Sequence, residues 1–156
     1  MGDGWNIAAF AVGDLYEMAA IVEQGGFDFY ARCIARSQDP RVRNELLFLR
    51  NEEAGHKAFF LEQLRKQGGS PKGAVSAGLH ELLEREFLGP MERVYSSGDI
   101  SDNDKTLAFG AALEQKSIDF YAALRGRVES GLTADIDRII SQEEAHKRKL
   151  ELIRAY

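Results

Sequence analysis

The sequence offers little for covalent cross-linking. Its one cysteine, Cys33, cannot close an intramolecular disulfide, and no Cys-x-x-Cys exists to hold a structural zinc or a rubredoxin-type iron, so a reducing compartment is expected. Proline is scarce, with 3 in 156 residues, which argues against a loop-rich or disordered chain. Basic blocks are missing as well. The 20 Lys and Arg against 25 Asp and Glu leave a net charge of −5 and nothing to follow a phosphate backbone, which excludes nucleic acid as the expected partner. Long apolar runs are also absent: Ile7 to Val12 is far short of a membrane span, and no positively charged stretch precedes it. No membrane partner and a cytoplasmic location are expected. The length suits a single domain over residues 1–156 rather than separate cofactor and substrate domains.

What is present is a repeat with a period of about ninety residues. Glu23-Gln-Gly-Gly-Phe-Asp-Phe-Tyr-Ala31 matches Glu114-Gln-Lys-Ser-Ile-Asp-Phe-Tyr-Ala122, and Glu53-Ala-Gly-His-Lys57 matches Glu143-Glu-Ala-His-Lys147 in the same order. The chain reads as a duplicated helical hairpin, about 14–67 and 102–155. Apolar residues recur at three- and four-residue intervals in four long stretches. The first predicted helix runs from Asp14, as N-cap, to Ser37, with Leu15, Ala19, Val22, Phe27, Tyr30 and Ile34 on related turns. The second starts at Asp39-Pro40, where proline's missing N–H is harmless, and runs to Gln67 before Gly68-Gly69-Ser70-Pro71. The third opens at Ser101 or Asp102 and ends near Val128; the fourth follows Gly131 with Thr133 as cap. Between the second and third, a short amphipathic helix at His80–Phe87 precedes a Gly89-Pro90 break. Tight turns within each hairpin and a long crossover between them predict an all-α, ferritin-like four-helix bundle with a short extra helix in the crossover.

Glu-x-x-His places its two side chains within reach of one metal on the same helix face. With 15 Glu and 3 His, roughly 0.3 such pairs are expected by chance, yet two occur, Glu53/His56 and Glu143/His146, at matched places in the repeat. Each stands on the second helix of a hairpin. The first helix of each carries a Glu with a Tyr seven residues on, Glu23/Tyr30 and Glu114/Tyr121, so both point inward. Four Glu and two His in this distribution are the ligand set of di-iron and di-manganese carboxylate bundles. Four buried carboxylates would repel and take up protons, whereas two divalent cations supply compensating charge. Oxygen and imidazole donors suit iron or manganese and also accept zinc.

Together Glu23…Tyr30, Glu53-x-x-His56, Glu114…Tyr121 and Glu143-x-x-His146 resemble the rubrerythrin-like branch of the ferritin-like superfamily, over residues 14–156. The resemblance implies two iron ions per site, with Glu53 and Glu143 bridging, His56 and His146 binding one metal each, and Glu23 and Glu114 as terminal ligands. It further implies that Glu52 and Gln142 each hold the opposite histidine and that Tyr30 and Tyr121 hydrogen-bond ligand carboxylates. The activity implied is reduction of hydrogen peroxide or dioxygen by a di-iron oxidoreductase. Ferroxidase or iron handling is the main alternative, a zinc or mixed-metal interaction module the next, and a dimanganese catalase-like role ranks lower. Two departures stand out. No rubredoxin-like module with paired cysteines can form, so the expected electron donor is external. Where many rubrerythrins carry an extra carboxylate after the third-helix glutamate, this chain has Ser117, with Gly26 as its repeat partner.

Gly25-Gly26 in mid-helix costs about 1 kcal/mol per glycine relative to alanine, and either of two reasons would explain it: Gly26 and Ser117 leave room above the metals, or the helices pack closely. Cys33 is expected to be buried, His80 to lie on the surface, and Glu17 and Glu45 to lie on solvated or interface faces. Trp5 and Phe10 suggest apolar surface beyond one bundle core, hence a homo-oligomer, with a dimer favoured.

Overall fold

A computed structural model describes residues 5–71, 75–98 and 103–154. Four long helices dominate it: α1 (Val12–Arg36), α2 (Pro40–Lys66), α5 (Asn103–Arg125) and α6 (Thr133–Arg154). The crossover contributes α3 (Ala77–Leu83), a π-turn at Glu84–Leu88 and α4 (Gly89–Ser97), and a 3-10 turn at Ser130–Leu132 leads into α6. Among the described residues every regular element is helical.

Local chemistry sets both ends of α2. Asp39 caps α2 by accepting the Arg41 backbone N–H at 2.9 Å, and Pro40 occupies the first turn. Gly68, at φ +79°, takes the left-handed conformation that ends the helix after Gln67. At α1 the expectation differs from what is found. The helix starts at Val12 with Ala11 in the cap position and no side-chain cap; Asp14 stands inside the first turn, where its charge still complements the helix dipole. The α5 helix stops at Arg125, short of Val128, and Thr133 is the first residue of α6 rather than its cap. The start expected at Ser101 or Asp102 lies outside the described residues.

The crossover departs most from expectation. Gly89-Pro90 does not break the chain's helical course: the backbone widens through one π-turn and re-enters α4 at Gly89. Proline fits because it falls in the first turn of α4, and glycine because a Cβ at position 89 would lie 2.7 Å from the Glu84 carbonyl oxygen.

Each hairpin packs along its length, α1 with α2 and α5 with α6, while the two hairpins stand further apart across a shared interior. Two apolar layers fill that interior. One holds Phe60 and Tyr121, stacked at 5.2 Å, with Phe120 beside them. The other holds Phe29 against Phe109 at 5.5 Å, with Leu150 close by. Phe60 is fully buried, so its truncation to alanine would cost about 3–5 kcal/mol. Trp5 packs inward on Phe87 and Phe120, at 5.5 and 5.3 Å, and Phe10 is half-buried against the core. Both keep part of their surface exposed. Arg127 pins this N-terminal segment by donating to the Ile7 and Phe10 carbonyls at 2.5 and 2.6 Å. Glu17 is buried rather than solvated, whereas Glu45 pairs with Lys149 at 2.8 Å near the surface. Cys33 is buried and His80 exposed. Among the described residues no helix is long and apolar enough to cross a membrane.

Candidate metal centre

Between the two apolar layers lies a polar one. Glu23 on α1, Glu53 and His56 on α2, Glu114 on α5, and Glu143 and His146 on α6 are all buried, none more than 5% exposed. They fall into two clusters, Glu23/Glu53/His56/Glu143 and Glu53/Glu114/Glu143/His146, and within each the donor atoms lie within 4.8 Å of one another. Glu53 and Glu143 belong to both. Such a set can hold a metal ion, since donors about 2.1 Å from one cation stand roughly 3–4 Å apart.

Unpartnered atoms strengthen the fit. His56 Nε2 donates to Gln142 Oε1 at 2.7 Å, which orients the ring so that Nδ1 faces the interior. That Nδ1 lies 2.8 Å from Glu143 Oε1 and 3.4 Å from Glu23 Oε1, without hydrogen-bond geometry to either. His146 Nδ1 faces Glu53, Glu114 and Glu143 oxygens at 3.5–3.7 Å and is likewise without a hydrogen bond. Glu23 Oε2, Glu114 Oε2 and Glu143 Oε1 are also buried and unpartnered. Buried polar atoms left this way are costly, and here they converge on one interior point.

The two tyrosines cross between hairpins. Tyr121 donates to Glu23 Oε1 at 2.6 Å, and Tyr30 donates to Glu114 Oε1. Both phenols are fully buried and held well above their usual pKa, first by burial and then by the facing carboxylates, so they remain donors. The residues flanking the histidines are unequal. Gln142 grips His56, whereas Glu52 Oε1 is 3.6 Å from His146 Nε2, too far for a hydrogen bond. The His56 and His146 rings lie 5.9 Å apart and nearly parallel.

Electrostatics without metal are frustrated. Burial, then mutual repulsion, drives Glu53 and Glu143 well above the ordinary carboxyl range. Burial also raises Glu23 to about 7, despite hydrogen bonding with Glu53 and Tyr121. At Glu114 burial is outweighed by its contacts with Glu143, His146 and Tyr30, and its pKa falls to about 2. Burial disfavours charge on His146, but Glu114 and Glu53 more than offset this and raise it to about 9. The pattern is a proton-sharing cluster of acids around one imidazolium, which cations could replace.

Gly26 and Ser117 line a small cavity of about 20 Å³ beside Glu53 and Glu114. Gly26 also has a packing reason: a Cβ there would lie 3.2 Å from Glu53 Cδ and 3.3 Å from its Oε2. One feature went unrecognised in the sequence. Lys57 donates to Gln24 at 2.7 Å and Gln24 to Asp28 at 2.9 Å; the repeat copies this as Lys147 to Gln115 and Gln115 to Asp119, each at 2.9 Å. Each chain of bonds ties the two helices of its hairpin beside the centre. All six residues lie inside the repeated segments, so their identity across the repeat was the available signal.

No protein-family model, curated protein or solved structure matches this chain. The reading of the centre therefore rests on its own residues.

Proposed function

We propose that this chain is a ferritin-like, rubrerythrin-like di-iron oxidoreductase that reduces hydrogen peroxide or dioxygen with electrons from an external donor. The observation that carries the reading is the sharing of Glu53 and Glu143, one from each hairpin, by both donor clusters. Two divalent cations would be held by Glu23, Glu53, His56 and Glu143 on one side and by Glu53, Glu114, Glu143 and His146 on the other. Their charge would cancel that of the four carboxylates. The donors suit iron or manganese and accept zinc, and no thiolate is involved. When bound, two ferrous ions would supply two electrons and a Lewis acid for O–O cleavage, so that hydrogen peroxide, two protons and two electrons give two waters.

The chain's own residues prepare that chemistry. Gln142 holds the His56 ring with its Nδ1 turned inward. Tyr30 and Tyr121 each fix one oxygen of a glutamate, and the second oxygens of Glu114 and Glu23 are left without a hydrogen bond. The apolar layers above and below keep bulk water out. Exposed Leu47, Phe48 and Leu152 on α2 and α6 give a homo-oligomer, a dimer foremost, its physical basis.

Ser117 favours one second reading. It contributes a hydroxyl, not a carboxylate, to the cavity beside Glu114, and its oxygen is already bonded to the Leu113 carbonyl at 3.2 Å. A site with no further carboxylate there suits oxidation or buffering of ferrous iron without peroxidase turnover. Anaerobic ferrous loading of metal-free protein, followed by separate additions of peroxide and oxygen, tests both. Two irons per chain with fast, peroxide-selective and reductant-reversible oxidation supports the first. Continued iron uptake with preference for oxygen supports the second, and failure to bind two metals removes both.

A further inference from the structure

Two cavities lie back to back where the crossover meets α1. The outer one is an open groove of about 410 Å³, walled by Ile21, Leu61 and Leu88, with Lys57 and Asp28 at its polar edge. The inner one, about 20 Å³, touches Glu53 and Glu114. Chain neighbours divide between them at their boundary: Gly25 lines the groove and Gly26 the inner cavity, while Leu88 lines the groove and Phe87 the inner cavity. Met91 fills the remaining gap. It lines the inner cavity, and a Cβ on Gly25 would lie 3.3 Å from its Cε and 3.4 Å from its Sδ. The π-turn and Gly89 set the register that delivers Phe87 and Met91 to this wall. Phe87 is fixed by stacking on Trp5, whereas an unbranched thioether side chain can swing without backbone movement.

We propose that Met91 is a size-selecting gate between the groove and the metal-facing cavity, passing molecules of the size of hydrogen peroxide or dioxygen and rejecting organic hydroperoxides. The inference rests on the di-metal reading and adds the route and its size limit. A cavity of about 20 Å³ accommodates about one water-sized molecule, so a butyl group fits only after the Met91 side chain is shortened. Gly25 is the complementary control point. A methyl added there presses on Met91 from the groove side and drives it toward the metals.

The test uses the full chain loaded with Co²⁺, whose visible absorption reports azide binding without turnover. Wild type, Met91→Ala, Gly25→Ala and the similar-volume Met91→Leu are each expected to bind two Co²⁺ per chain. Azide should enter Met91→Ala roughly tenfold faster and Gly25→Ala several-fold slower than wild type, with Met91→Leu close to wild type. In the iron-loaded protein, Met91→Ala should raise the rate with tert-butyl hydroperoxide relative to hydrogen peroxide by roughly tenfold. Unchanged azide rates and an unchanged hydroperoxide ratio, with two Co²⁺ bound, would overturn the gate and leave the di-metal reading standing. Inability of wild type to bind two Co²⁺ would overturn both. Should Met91→Ala not fold, Gly25→Ala decides alone, since it places a better helix former in α1, and an unchanged azide rate there rejects the gate.

Discussion

Tyr121 of α5 reaches across the interior to donate its hydroxyl to Glu23 of α1 at 2.6 Å, a contact spanning 98 residues of chain. Its repeat counterpart, Tyr30 to Glu114, runs the other way, so the two hairpins exchange one hydrogen bond each. Tyr121→Phe is expected to lower stability by about 1.5–3 kcal/mol, because a buried bond to an acidic group is lost. Metal affinity should fall roughly tenfold as Glu23 loses its orientation. Urea unfolding of the metal-free protein and chelator competition measure the two effects separately, and an unchanged affinity would show that Glu23 is positioned by other contacts.

Metal stoichiometry should distinguish shared from unshared carboxylates. Glu53→Ala and Glu143→Ala remove a donor common to both clusters and are expected to lose the pair; Glu23→Ala, which touches one cluster, should retain one metal. Elemental analysis of Co²⁺-loaded variants checks this. Two metals retained in Glu53→Ala would refute the sharing.

Acid chemistry gives a third expectation. Glu53 and Glu143, raised chiefly by burial, and Glu23, raised to about 7, stabilise the metal-free fold fully below the unfolded value of 4.5 and lose that contribution as pH climbs toward their folded values. His146 acts in the same direction: its contribution is complete below 6.5 and is lost as pH rises through about 9. Glu114, lowered to about 2, opposes the trend only below 4.5. The metal-free protein should therefore lose stability between about pH 5 and about pH 8, while metal, by displacing those protons, flattens the profile. Urea midpoints across that range would show it, and a metal-free midpoint rising with pH would contradict it.

Two glycines in similar helical settings should respond differently. Gly55 in α2 has open space where a Cβ would go, so Gly55→Ala should stabilise by about 0.5–1 kcal/mol. Gly26→Ala gains the same helix propensity but must displace the Glu53 carboxylate, so metal affinity is expected to drop instead. Thermal melts with and without metal separate the two, and a Gly26→Ala protein with undiminished affinity would mean that the Glu53 side chain yields freely.

Much of this arrangement was legible because repetition at a fixed spacing survives without three-dimensional information. Glu53/His56 and Glu143/His146 announced their helix faces, and Asp39-Pro40 announced the start of α2. What stayed hidden depends on packing between distant segments. Glu17 is a charged residue on a helix and reads as lying on a solvated or interface face until its burial is seen. Trp5 reads as spare apolar surface because its partners, Phe87 and Phe120, lie far along the chain. Gly89-Pro90 reads as a break because the rule for proline in a helix interior does not anticipate a π-turn that moves proline to a first turn. Glu52 and Gln142 hold equivalent repeat positions, and their different reach to histidine emerges only from the packing of the folded helices.

The sharing of Glu53 and Glu143 also bears on the order of assembly. Contacts within α1–α2 and within α5–α6 are close in sequence and can form early, whereas the pairs that build the centre, such as His56 with Gln142, lie 86 residues apart and demand costly loop closure. Each hairpin alone brings three donors of one cluster and one of the other. A cation that needs the fourth donor from the opposite hairpin is fully held only after they dock, so it acts as a latch on the last step of folding, slowing undocking far more than it speeds collapse.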